Sequence, residues 1–123
     1  MINNIQIQGV KFTADKELQK YIAKKFGSLE RYVPKKARES ARIEVFLKES
    51  KIKAKKICEC EVIMHLPGEN IAIKDSTINM FAAVDIVEVT LKNRLKEYKE
   101  KHGNPALHRR LKARLRNIVR SKP

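Results

Sequence analysis

The run CECEVIMHLPGENIAIKDSTINMFAAVDIVEVTLKNRLKEY, residues 58–98, changes its hydrophobic period once, and that change decides the architecture. Cys58, Cys60, Val62, Met64 and Leu66 alternate with Glu59, Glu61, Ile63 and His65, which is the period of two of a half-buried strand. Pro67-Gly68-Glu69-Asn70 is turn chemistry, and Ile71 and Ile73 open a short further strand. From Asp75-Ser76-Thr77 onward, Met80, Val84, Val87, Leu91, Leu95 and Tyr98 form one apolar stripe at helical spacing. Carried to Lys101, that helix would be roughly 37 Å long at about 1.5 Å per residue.

Toward the N-terminus the same two periods alternate. Ala41, Ile43, Val45 and Leu47 alternate with Arg42, Glu44, Phe46 and Lys48, a strand that would form an antiparallel meander with the two after it. Before it, Leu18, Ile22, Phe26 and Leu29 recur at helical spacing, with Thr13 or Asp15 placed to cap and Glu17 in the first turn. This helix is expected over residues 15–31, ending before Pro34. Ile5 and Ile7 alternate with Asn4, Gln6 and Gln8 in a first strand that stops at Gly9. The order β-α-β-β-β-α predicts an α+β fold, a four-stranded sheet with two helices on one face, because each strand has one apolar face and each helix one stripe.

The chain has 123 residues, 42% of them hydrophobic, enough for one domain with a real core. Its 28 Lys+Arg against 14 Asp+Glu leave a net charge of +14, unevenly placed. Every acid lies at or before Glu100, so the first hundred residues are +6, whereas residues 101–123 hold eight Lys/Arg and are +8. His102-Gly103-Asn104-Pro105 marks the boundary, since Gly and Asn end helices and Pro cannot continue one. The expected organisation is a folded core over 1–102 and a basic tail over 103–123, with Leu107, Leu111, Leu115 and Ile118 spaced for a third helix. No apolar run reaches the ~18 residues of a membrane span and the N-terminus has no signal-peptide pattern, which points to a soluble, cytoplasmic protein.

Enzyme and cofactor chemistry find no foothold. Four scattered glycines make no phosphate-cradling loop, no G-x-S-x-G occurs, and Asp85 and Glu88 read as helix-surface acids. Cys58 and Cys60 share one strand face with no further cysteine to complete a zinc site, so they are expected in the core, with no metal or other cofactor. The basic residues remain. An excess of +14 costs self-repulsion and calls for a polyanionic partner, and RNA fits better than duplex DNA because no helix-turn-helix or zinc-finger pattern offers a reading helix. The expected RNA-binding residues are Lys24, Lys25 and Arg31 from the first helix, and Lys92, Arg94, Lys96, Lys99 and Lys101 from the second. The tail adds Arg109, Arg110, Lys112, Arg114 and Arg116. Lys92, Lys96 and Lys99 lie on one flank of the second helix's stripe and Arg94 and Lys101 on the other. Only Tyr21, Tyr32, Phe46 and Tyr98 are placed to stack on bases, so contact would be with phosphates and RNA shape.

Ile5-Gln-Ile-Gln-Gly9, the run from Leu18 to Tyr32, and Met80-Phe-Ala-Ala-Val-Asp85 followed by Leu91, Leu95 and Tyr98-Lys99 resemble the ribosome hibernation-promoting factor and ribosome-associated translation inhibitor family in its short form, over about residues 1–101. The resemblance implies a double-stranded RNA-binding-domain-like fold. It also implies binding to small-subunit rRNA in the mRNA and tRNA channel, blocking translation by occlusion under stress, with the small ribosomal subunit as partner and no small-molecule substrate. A monomeric free protein is implied as well, since long members of that family carry a dimerising domain that this chain is too short to contain. In this alignment the family is basic at Lys25, Ser28, Thr90, Asn93 and Glu97, and this chain keeps only the first. Two other classes compete: a general structured-RNA-binding module, and a protein held at a membrane surface by its basic amphipathic tail, which lacks Trp and Phe.

Overall fold

The computed structural model describes residues 2 and 4–102, excluding the His102 side chain. Its elements run β1 (Ile5–Val10), α1 (Lys16–Gly27), a 3₁₀ segment (Ser28–Tyr32), α2 (Lys35–Arg38), β2 (Arg42–Ile52), β3 (Lys55–Leu66), β4 (Glu69–Thr77) and α3 (Met80–His102). The sheet order is β1-β2-β3-β4, with β1 parallel to β2 and the other two pairings antiparallel. The α+β architecture read from the sequence is the one observed.

Register explains why one sheet face is apolar. Ile43 pairs with Met64, which pairs with Ile71, and Val45 pairs with Val62, which pairs with Ile73; these rows are buried under the helices. Cys58 and Cys60 belong to the same face, and burial pushes the Cys60 thiol up to about 12. Ile22 and Phe26 of α1, Leu29 and Val33 after it, and Val84, Val87, Leu91 and Leu95 of α3 fill the layer above. Each such aliphatic or aromatic side chain contributes about 1.5–3 kcal/mol on burial. The opposite face is open, and its charges are nearly balanced: Glu44 meets His65 at 2.5 Å and Arg42 at 3.9 Å, and Glu59 meets Lys74 at 3.8 Å.

Several boundaries differ from the sequence expectation. The first helix does not run to 31: α1 ends at Gly27 and continues as the 3₁₀ turn, a change that the three-residue step from Phe26 to Leu29 accommodates equally well. Asp15 is its cap, its Oδ1 accepting from the Leu18 N–H at 2.8 Å. The last strand is not short but nine residues long, so Asp75-Ser76-Thr77 ends β4 rather than starting a helix. Asn79 caps α3 instead, its Oδ1 accepting from the N–H groups of Phe81 and Ala82 at 2.8 and 3.2 Å. With 23 residues α3 is about 34 Å long at 1.5 Å per residue, slightly under the expected length. β1 passes Gly9 and ends at Val10. The glycine is needed there for a different reason: the Phe12 carbonyl oxygen lies 1.8 Å from where a Cβ would stand. The four-residue α2 was not expected, and the tail helix lies outside the described residues.

Candidate nucleic-acid interface

The expected cations gather on the helical layer, along the seam between α1 with its 3₁₀ extension and α3. At 100° per residue, Phe81, Asp85, Glu88, Lys92, Lys96 and Lys99 follow one flank of the α3 stripe, and that flank faces the α1 side. The two ends of the seam are electrostatically unlike.

At the N-terminal end of α3, Tyr21 packs edge-on against Phe81, with ring centroids 5.1 Å apart, and donates its hydroxyl hydrogen bond to Asp85. Lys25 Nζ lies 3.4 Å from the same carboxylate and 5.5 Å from the Tyr21 ring centroid. Hydrogen bonding to Asp85, then burial, raises the Tyr21 phenol. Burial works against the Lys25 ammonium, but the Asp85 carboxylate and Tyr21 outweigh it and hold its pKa above the ordinary value. Lys25 is therefore charged but already paired.

At the other end the half-buried Tyr32 ring carries three cations. The Arg31 guanidinium carbon stands 5.1 Å from its centroid, Lys92 Nζ 5.5 Å and Lys96 Nζ 5.7 Å. Lys99 Nζ joins them, donating to the Arg31 carbonyl oxygen at 3.2 Å. Among the described residues, none of these four forms an ion pair with a carboxylate. Burial alone would raise the Tyr32 phenol; Lys92 and Arg31 overcome it and bring the pKa below its usual value. The ring thus holds mutually repelling charges together, leaving their outward sides to an anion.

The remaining predicted residues divide. Arg94 and Lys101 do lie on the opposite flank, in a cleft of about 370 Å³ that they share with Glu69, Ile71, Glu97 and Tyr98. Their charge is locally matched by two acids. Lys24 is exposed on α1. Arg109, Arg110, Lys112, Arg114 and Arg116 lie outside the described residues. Of the aromatics, Tyr98 is buried and donates to the Pro67 carbonyl at 2.8 Å, and Phe46 sits on the open sheet face. Tyr32 serves as a seat for cations rather than an exposed stacking surface. Sequence reasoning missed the lysines at the tip of the β2–β3 hairpin, Lys51, Lys53, Lys55 and Lys56; four lysines in six residues between two alternating runs was the available signal.

Among the described residues no helix is long and apolar enough to cross a membrane, and the basic tail considered as a membrane-surface anchor lies outside them. Nor do three or more His, Cys, Asp or Glu side chains come together among them as a metal site.

Comparison with known proteins places residues 5–103 on the family model described as sigma 54 modulation protein / S30EA ribosomal protein. A search of curated proteins finds no match. Among solved structures, the N-terminal domain of Protein Y from Thermus thermophilus is similar with a TM-score of 0.63 at 20% identity, over 76% of this chain and 94% of that one. A ribosomal subunit interface protein from Coxiella burnetii is similar with a TM-score of 0.62 at 24% identity, over 77% and 96%. Both likenesses concern the fold.

Proposed function

The chain belongs to the sigma 54 modulation protein / S30EA ribosomal protein family, and from that membership we propose that it is a ribosome-associated translation inhibitor, binding small-subunit rRNA in the mRNA and tRNA channel and acting by occlusion. The observation that carries the reading is the cluster of Arg31, Lys92, Lys96 and Lys99 around Tyr32, four cations without a carboxylate partner among the described residues. Such a cluster is stabilised by a dense array of phosphates, and counterion release supplies the affinity. A domain seated on rRNA through one helical face excludes tRNA and mRNA simply by filling their volume, so the mechanism asks for no catalytic group. The Coxiella neighbour is a ribosomal subunit interface protein, which agrees with such a location.

Competition decides it. Small subunits saturated with the protein are expected to lose tRNA binding at the decoding site, and an in vitro translation system to lose output, with rRNA left chemically unmodified. Normal tRNA binding on saturated subunits would rule out occlusion. Equal affinity for subunits and for unrelated structured RNA would favour a general RNA-binding module instead.

A further inference from the structure

The β2–β3 hairpin outruns the rest of the sheet. β1 pairs with β2 only as far as Val10–Lys48, and β4 pairs with β3 only as far as Thr77–Cys58. β2 and β3 continue to pair alone through Ser50–Ile57, Lys51–Lys56 and Ile52–Lys55. Lys53 and Ala54 close the ribbon with φ of 53° and 67°, the left-handed pair that a two-residue type I′ turn demands. Residues 51–56 are all exposed.

As a piece of fold this ribbon is poorly composed. Its turn uses Lys-Ala where Asn-Gly would sit without strain. Lys51 and Lys56 are register partners, and like charges directly opposite destabilise a ladder. Lys53 and Lys55 complete four ammonium groups in six residues, and the acid facing them is Glu49, 3.9 Å from Lys56 Nζ. Of its two isoleucines, Ile52 at the tip is more than half exposed at 57% and Ile57 at the base is half-buried, and neither belongs to the core cluster. A two-stranded ribbon without a packed face is marginal on its own. Local stability has been given up for charge.

We propose that this ribbon is a second RNA-contacting element, delivering Lys51, Lys53, Lys55 and Lys56 to phosphodiester oxygens at a site separate from the Tyr32 cluster. The inference rests on the RNA reading of the seam and extends it. Lys56 lines a cleft with Ile78, Asn79, Met80 and Phe81 at the start of α3, where Asp15 also contributes and caps α1, whereas Lys92, Lys96 and Lys99 occupy the far half of α3. From Met80 to Lys96 the helix rises about 24 Å. Two cationic sites that far apart fit one extended polyanion, and binding at the first raises the effective concentration at the second. A lipid surface fits less well, since Ile52 is the ribbon's one exposed isoleucine and offers little to insert.

The test uses the full chain and purified small ribosomal subunits, measuring affinity across a salt series. Replacing Lys51, Lys53, Lys55 and Lys56 by Ala should weaken binding about tenfold at physiological salt and flatten the log–log salt slope by roughly three to four, at ~0.7–0.9 for each of the phosphates no longer neutralised. The melting temperature should hold or rise, because the Lys51–Lys56 repulsion is gone. Lys53→Asn with Ala54→Gly, which keeps three lysines on a better turn, should retain most of the affinity and separates charge loss from misfolding. If the unsubstituted chain binds and the four-alanine variant matches it in affinity and slope, the inference falls while the ribosomal reading stands. If the unsubstituted chain does not bind, both fall. Loss of binding to phosphatidylserine vesicles with unchanged subunit binding would assign the ribbon to lipid and also overturn it.

Discussion

Tyr21 and Tyr32 stand on the same side of the same helical seam and meet opposite electrostatics. Tyr21 gives its proton to a hydrogen bond with Asp85, which also neutralises Lys25. Tyr32 has no such acid and gathers Arg31, Lys92 and Lys96 over its ring. Charge count alone would treat the lysines at both ends as equal. What separates them is whether the fold supplies the counter-charge: where it does, the cation holds the protein together, and where it does not, the cation is available to a partner. The flank carrying Arg94 and Lys101 sides with the Tyr21 end, because Glu69 and Glu97 share its cleft.

The largest expected effect comes from reversing the unpaired end. Lys92→Glu with Lys96→Glu should lower affinity for small subunits about a hundredfold, since each change replaces a phosphate attraction by a repulsion and removes one unit of counterion release. Both side chains lie outside the buried stripe, so circular dichroism and thermal unfolding should stay close to the unsubstituted protein. The matching control, Arg94→Ala with Lys101→Ala, should move affinity by less than about threefold on the same argument of local charge balance. Equal losses from the two pairs would show that overall charge, and not the unpaired cluster, sets binding.

Next in size is the aromatic seat. Tyr32→Leu removes the ring face and, at about 0.5–1 kcal/mol per exposed cation–π contact, should cost roughly tenfold in binding by letting the cations disperse. Tyr32→Phe keeps the ring and should bind within about twofold of the original. A phenylalanine variant as weak as the leucine one would show that the hydroxyl, and not the ring, matters.

How much of this was legible follows from the range of the interactions. Strands and helices could be read because each has one buried face and a local period: Ile43, Val45 and Leu47 on β2, and Met80 to Tyr98 on α3. The end of β4 could not, because Lys74, Asp75 and Ser76 are all polar and only pairing with Glu61, Cys60 and Glu59 makes them strand. The hairpin tip has no apolar alternation to announce its strands, and its four lysines in six residues were the one signal it offered. At the site, the division of the α3 cations into two flanks followed from 100° per residue. Which cations were neutralised did not, since Lys25–Asp85 and Lys96–Tyr32 join residues about sixty apart in the chain. Those partners exist only once the helices are packed.

A smaller effect tests the paired end. Asp85→Asn leaves Tyr21 an acceptor but frees Lys25 from its carboxylate. Affinity should rise about two- to threefold, with a salt slope steeper by no more than the ~0.9 of one further neutralised phosphate. The Lys25 pKa, now held up by Asp85 against burial, should fall toward its ordinary value. Unchanged binding would place Lys25 outside the RNA-facing surface.

The smallest effect is spectroscopic and reads the comparison directly, because the chain has three tyrosines and each is held differently. Tyr21 is raised above the ordinary 10.0 chiefly by its hydrogen bond to Asp85, and Tyr98 chiefly by burial. Tyr32 is lowered by Lys92 and Arg31 against the pull of burial. Alkaline titration of tyrosinate absorbance should therefore show one phenol ionising below the other two. Tyr32→Phe should delete that first step, and Lys92→Ala should move it upward. The signs for stability are opposite as well. A raised Tyr21 favours the fold below its unfolded pKa and loses that contribution as pH rises through the folded value. A lowered Tyr32 favours the fold above its unfolded pKa and loses its contribution as pH falls through the folded value. Alkali should thus weaken the Asp85 end while leaving the Tyr32 end intact. An alkali-stable polyanion such as heparin should push the first step back toward 10.0, since its sulfates offset the charges that lowered it. If heparin binds and leaves that step where it was, the cations around Tyr32 are not the ones the polyanion meets.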